Sequence, residues 1–152
     1  MIGMEKLEIQ EITQEFHGEA KHLILEGMKE RFGFIDYSLN PDLNNIYEHY
    51  TMNGHLFLIG FLEETMVGTG ALTKECSTIG RIERMSVGRP YRRKGIAQRM
   101  LDQLEGQAIK LGYSKIVLET NQEWHSAIAF YKKNGFVFDY HEGERIHFFK
   151  LT

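Results

Sequence analysis

The sequence predicts one mixed α/β domain. The hydrophobic period switches repeatedly between helical and strand spacing, most switches carry a glycine, asparagine or proline, and no linker, repeat or low-complexity stretch interrupts the order. That order is strand, two helices, three strands, helix, strand, helix, two strands. At 152 residues the chain is long enough to bury roughly 70% of its unfolded surface around one core. It is read as a single domain over residues 1–152.

Leu7 to Ile9 alternates as an edge strand does, and Thr13 offers a cap for the helix after it. Phe16, Ala20, Leu23, Ile24, Gly27, Met28 and Phe32 recur at three- and four-residue steps and form one buried stripe. Asn40-Pro41-Asp42 starts a second helix running to about Tyr50, with Asn40 as cap and Pro41 where a missing N–H costs nothing. Asn53-Gly54 marks a turn, and Leu56–Leu62 and Met66–Leu72 are the arms of a hairpin about Glu63-Glu64. Ile82–Val87 is a third strand in this block.

From Lys94 the period becomes helical, with Ile96, Met100, Leu104 and Ala108 in line and Gly112 just past the end. Lys115–Glu119 is a short strand, Ser126–Asn134 a helix closed by Gly135, and Phe136–Tyr140 and Ile146–Leu151 are two aromatic strands. Alternation on Ile82–Val87 puts Ile82, Arg84 and Ser86 on one face and Glu83, Met85 and Val87 on the other. A glutamate beside Met85 and Val87 would be partly desolvated.

Composition excludes several classes. A single cysteine, Cys76, beside seven methionines forms no internal disulfide and suits a reducing compartment, so a cytoplasmic location is expected. The residues after Met1 show no charged segment followed by an apolar run, and no stretch approaches a membrane span, so no membrane partner is expected. With a net charge of −3, nucleic-acid binding would rest on Arg89, Arg92, Arg93, Lys94 and Arg99 alone, and none is expected. The seven histidines form no i, i+4 pair, so no metal is expected. Ser86 lacks the glycine that a nucleophile elbow needs two residues earlier.

The segment Val87-Gly88-Arg89-Pro90-Tyr91-Arg92-Arg93-Lys94-Gly95-Ile96-Ala97 joins a strand to a helix N-terminus. The first helical N–H groups lack intrahelical acceptors and the helix dipole is positive there, so such a junction binds anions. Gly95 and Ala97 keep bulk away while Arg92, Arg93 and Lys94 supply mobile charge. A bare basic cluster is ordinarily a solvated turn, but here it carries the pattern Arg92-x-x-Gly95-x-Ala97 after Met85-Ser86-Val87. That pattern resembles the pyrophosphate-binding motif of the GCN5-related N-acetyltransferase (GNAT) family. Leu118-Glu119-Thr120-Asn121, followed by Ala127 to Phe136 with its Tyr131-x-x-x-Gly135-Phe136, resembles the family's second cofactor motif. The likeness covers Gly80 to Phe138 well and fades over the first 50 residues.

What the resemblance implies is a GNAT-like fold: a mixed, mostly antiparallel sheet of about seven strands flanked by about four helices. It implies transfer of an acetyl group from acetyl-coenzyme A, the cosubstrate, to a primary amine by direct attack in a ternary complex. Met85, Ser86, Val87, Arg92, Arg93, Lys94, Gly95, Ile96, Ala97, Asn121, Trp124, Ala127 and Tyr131 are then the cofactor residues. Many members carry asparagine where this chain has Trp124, so Asn121 or the indole N–H would take that contact. The strands carrying Val87 and Leu118 should splay so that pantetheine lies between them.

An alkylammonium, with a pKa near ~10.4, must lose a proton before it attacks. The resemblance aims Glu83 into the acceptor cleft, making it the candidate base, directly or through water. Tyr131 matches the family's tyrosine and is the candidate acid for the leaving thiolate. A backbone N–H near Met85 would polarise the carbonyl. The acceptor is a small-molecule or peptide amine; Phe32, Phe34, Tyr37, Tyr47 and Tyr50 form an aromatic run that either walls its pocket or packs as core. A reading of another class is a coenzyme A-binding sensor without turnover. Exposed aromatic strands, Phe136-Val137-Phe138 and Phe148-Phe149, suggest a homodimer.

Overall fold

The computed structural model describes residues 6–32, 40–51 and 55–152, without the side chain of Phe32. The Asn53-Gly54 turn, Phe34, Tyr37 and the Phe32 side chain therefore lie outside the described residues. Seven strands and four helices follow the expected order: β1 (Leu7–Glu11), α1 (His17–Phe32), α2 (Ile46–Thr51), β2 (Leu56–Leu62), β3 (Thr65–Cys76), β4 (Ile79–Val87), α3 (Ile96–Lys110), β5 (Lys115–Asn121), α4 (His125–Lys133), β6 (Val137–Glu142) and β7 (Arg145–Leu151). The sheet runs β1-β2-β3-β4-β5-β7-β6. All neighbours are antiparallel except β4 and β5.

Each face of the sheet buries its own cluster. Ala20, Ile24 and Leu25 of α1 and Ile46 and Tyr50 of α2 pack on Phe57, Ile59 and Ala71. On the other face Ile96, Met100, Leu101, Leu104 and Ala108 of α3 pack on Leu58, Val67, Leu72 and Ile82, and Tyr131 of α4 joins Leu118 and Phe148. Burying a leucine-sized side chain is worth about 1.5–3 kcal/mol, so these stripes hold the helices on the sheet. Gly112 and Gly135, at φ 84° and 90°, end α3 and α4 in the left-handed conformation glycine adopts freely.

Three expectations are corrected. Pro41 does start a helical turn, but it is a 3-10 turn over Pro41–Asn44, and α2 begins separately at Ile46. The Asn40 side chain makes no capping bond there, although its carbonyl accepts from Leu43 N–H at 3.1 Å; Asn45 caps α2 instead, its Oδ1 accepting from Glu48 N–H at 3.1 Å while its Nδ2 donates to the Glu48 carboxylate at 3.1 Å. Phe136 and Phe148 are core residues at 2% and 1% exposure, so the large apolar side chains that the terminal strands expose are Val137, Phe138 and Tyr140 of β6 and Leu151 of β7.

The third correction bears on chemistry. The β3–β4 register runs from Thr69↔Ser86 to Ala71↔Glu83, so β4 carries one extra residue, a β-bulge at which Arg84 has φ 54°. Ile82, Met85 and Val87 therefore pack on the α3 side, whereas Glu83 and Arg84 reach residues of the α1–α2 side. Ser86 joins them, its Oγ 3.1 Å from where a Cβ on Gly27 would stand. Strict alternation fails because the bulge inserts a residue into the pleat.

Candidate active site

The parallel ladder of β4 and β5 holds three pairs, Ile79↔Lys115, Gly80↔Ile116 and Arg81↔Val117. Beyond them no pair joins the two strands, and a cleft of about 1160 Å³ opens between their carboxyl ends. Its walls are the end of β4, the loop into α3, the end of β5, α4 and one side of α1. Glu83, Met85, Ser86, Val87, Arg92, Arg93, Gly95, Ile96, Ala97, Asn121, Trp124, Ala127 and Tyr131 all line it, and Lys94 does not.

One end is suited to an anion. Gly95 caps α3 with φ 86°, a left-handed position, and Arg93 in the preceding loop also has a positive φ of 61°. The first bond across the cap runs from Arg99 N–H to the Gly95 carbonyl at 3.1 Å, leaving the N–H groups of Ile96, Ala97 and Gln98 without intrahelical acceptors. Arg92 is not mobile charge as expected: its Nε donates to the Val87 carbonyl at 3.0 Å and its Nη1 pairs with Glu30 of α1. Arg89, Arg93 and Lys94 are the exposed cations of this loop, Arg89 lying 3.5 Å from Glu30.

Asn121 is committed locally, its Oδ1 accepting from Glu123 N–H at 2.8 Å. Trp124, just before α4, carries the Arg31 guanidinium 4.4 Å from its ring centroid. Burial and the nearby Arg92 hold the Arg31 pKa below its usual value. Tyr131 is buried between Phe130 and Phe136, with ring centroids 5.3 and 5.8 Å away. Burial pushes its phenol well above the ordinary range, with Arg31 opposing, so the hydroxyl keeps its proton at neutral pH.

The other end is a network absent from the sequence-based reading. Arg84 donates from Nε to Asp42 Oδ2 at 2.9 Å, from Nη2 to Asp42 Oδ1 at 2.7 Å, and from Nη2 to Asn40 Oδ1 at 3.0 Å. Tyr50 donates its hydroxyl to Asp42 Oδ2 at 2.6 Å and stands 3.3 Å from Glu83 Oε2. Burial pushes Asp42 up, but bonds from Arg84 and Tyr50 outweigh it and hold the carboxyl below the usual carboxylate range. Burial and Asp42 push the Tyr50 phenol far above its own. Thr69 Oγ1 donates to the Arg84 carbonyl at 2.7 Å, so both sides of the bulge are pinned. Nothing in residue spacing announces that Asn40, Asp42, Tyr50 and Arg84 meet.

The fold also gathers Glu119, Glu142 and His147 from three neighbouring strands, with ligand atoms within 4.8 Å of one another. His147 Nε2 lies 3.2 Å from each carboxylate and Arg145 pairs with Glu119. Sequence spacing could not show this group, because it forms across strands.

The acetyltransferase (GNAT) family matches residues 20–136, and the chain belongs to that family. It is 33% identical over 100 residues to Probable N-acetyltransferase 14 of Xenopus tropicalis, covering 64% of this chain and 48% of that one. It is 31% identical over 100 residues to the uncharacterized N-acetyltransferase YjgM of Escherichia coli K12, covering 64% and 60%. The chain thus spans about half to three-fifths of these relatives. Among solved structures, an acetyltransferase of the GNAT family from Staphylococcus aureus Mu50 superposes with a TM-score of 0.87 at 24% identity, over 95% of this chain and 98% of the other. The PaiA N-acetyltransferase of Thermoplasma acidophilum, solved with coenzyme A, gives 0.83 at 19% identity, over 96% and 99%.

Proposed function

We propose that the protein transfers the acetyl group of acetyl-coenzyme A to a primary amine by direct attack in a ternary complex. The observation that carries this reading is the parting of β4 and β5 after Arg81↔Val117 beside the N-terminus of α3, with both sequence motifs lining the one cleft. In this reading the diphosphate rests on the amides following Gly95, with Arg93 and Lys94 as outer counter-charges and Arg92 bracing the loop. The pantetheine arm lies along the freed edge of β4 from Met85 to Val87.

The acceptor ammonium gives one proton to Glu83, and the neutral nitrogen attacks the thioester carbonyl, whose developing oxyanion is met by a backbone N–H near Met85. The carbon–sulfur bond breaks as the tetrahedral species collapses, and the thiolate takes the Tyr131 proton. The second proton shed by nitrogen returns to Tyr131 through solvent, and Glu83 releases the first to bulk water. One amide, one thiol and one net proton result. Exposed Val137, Phe138 and Tyr140 on the edge strand support a homodimer, which sedimentation tests.

Calorimetry with acetyl-coenzyme A, followed by thiol release with a panel of amines, tests the reading. Saturable binding and acceptor-dependent thiol are expected. Binding without turnover on any amine would make the chain a coenzyme A sensor, and no heat at all would remove the cofactor site.

A further inference from the structure

The Tyr50 hydroxyl carries one proton and stands between two carboxylates. It is 2.6 Å from Asp42 Oδ2 and 3.3 Å from Glu83 Oε2, so its proton belongs to Asp42. Asp42 does not take a proton of its own, because the Arg84 guanidinium grips both of its oxygens, at 2.9 and 2.7 Å. What Tyr50 turns towards Glu83 is therefore a lone pair.

We infer that Tyr50 and Asp42 are positioning residues that make Glu83 the resting place of the proton taken from the acceptor. The inference rests on the reading of Glu83 as base. When Glu83 is ionised, Tyr50 has no proton to offer it. When Glu83 is protonated, its O–H donates to Tyr50, Tyr50 donates to Asp42, and Asp42 accepts from Arg84, so each group in the chain is satisfied. The proton comes from the acceptor ammonium and leaves from Glu83 to water; Tyr50 and Asp42 neither gain nor lose one.

Other groups face Glu83. Thr73 Oγ1 on β3 is 3.4 Å from Oε1, at the edge of hydrogen-bonding distance. The charge of Glu83 is felt by Arg81 on β4 and by His55 before β2. His49 lies behind Tyr50, ring to ring at 4.8 Å, and Arg84 is neutralised by Asp42. Two directional contacts therefore reach Glu83: the Thr73 hydroxyl, a donor to Oε1, and the Tyr50–Asp42 chain, which has only a lone pair for Oε2 and so is satisfied when that oxygen carries the proton.

The test is the pH profile of kcat/KM for thiol release with an amine substrate, in Tyr50→Phe, Asp42→Asn and Glu83→Gln. Tyr50→Phe keeps the ring against Phe57, so the affinity for acetyl-coenzyme A stays within about twofold while the acidic limb moves to lower pH by roughly half a unit or more. Asp42→Asn moves it the same way, because it removes a negative charge and frees the Tyr50 proton for ionised Glu83. A limb that stays in place, or moves to higher pH in Tyr50→Phe, overturns the inference, since Tyr50 would then be packing alone or donating to ionised Glu83. Should either variant lose its cooperative urea transition, the other decides. Glu83→Gln separates the two readings: an unchanged profile there removes Glu83 as base and the inference with it, whereas loss of the limb in Glu83→Gln with none of the expected shift in Tyr50→Phe removes the inference alone.

Discussion

Arg31 of α1 lies over the indole of Trp124, its guanidinium carbon 4.4 Å from the ring centroid, so a cation–π contact ties α1 to the start of α4 where both line the cleft. At an exposed site such a contact is worth about 0.5–1 kcal/mol. A double-mutant cycle of Arg31→Ala and Trp124→Ala, read by urea unfolding, should return a coupling of about that size. Trp124→Ala should also raise the KM for acetyl-coenzyme A several-fold, because it removes a wall of the cleft.

Gly95 has φ 86° and no side chain at the mouth of the anion site. Gly95→Ala forces a non-glycine residue into the left-handed region, at a cost of roughly 1 kcal/mol, which a melting curve reads as a drop of a few degrees. Gly95→Glu adds an anion where the diphosphate is placed. Titration calorimetry of the folded variant should then detect no binding of coenzyme A.

Tyr131 is pushed above the ordinary tyrosine range by burial, so its proton is in place through the neutral range, the state that the proposed acid role requires. Tyr131→Phe preserves the ring contact with Phe136. Affinity for acetyl-coenzyme A should stay near that of the unmodified protein while kcat falls by about 10- to 100-fold. An unchanged kcat rules out the acid role.

Asp42 is held below the usual carboxylate range, so in acid the folded state binds fewer protons at this site than the unfolded chain does. The stability it supplies is fully present above the unfolded value near ~3.9 and is lost as pH falls through the lowered folded value. Asp42→Ala should therefore cost about 1–3 kcal/mol at neutral pH, because it leaves Arg84 half-buried and unpaired. The urea midpoints of the two proteins should converge as the solution is acidified below that range.

Much of this architecture was legible in one dimension. The stripe Ile96, Met100, Leu104, Ala108 specifies α3 because a helical period and full burial are the same fact seen twice. Gly112 and Gly135 announce their helix ends because only glycine takes those angles without strain. The motif residues meet in one cleft because they flank two strands that end side by side. Alternation failed at Arg84, where a bulge that no propensity signals moves Glu83 off the face of Met85 and Val87.

The sequence by itself determined the order of elements, the buried stripe of α3 and the strand–loop–helix junction at Gly95, because these follow from local periodicity and from backbone groups that short spans leave without partners. Only the tertiary structure decided that Asp42, Tyr50, Glu83 and Arg84 form one chain, that Arg31 lies on Trp124, and that Arg92 braces α1. Those relationships depend on side-chain directions across a bulged, twisted sheet, where residues 33 or 42 positions apart meet. Spacing along the chain carries no record of such contacts.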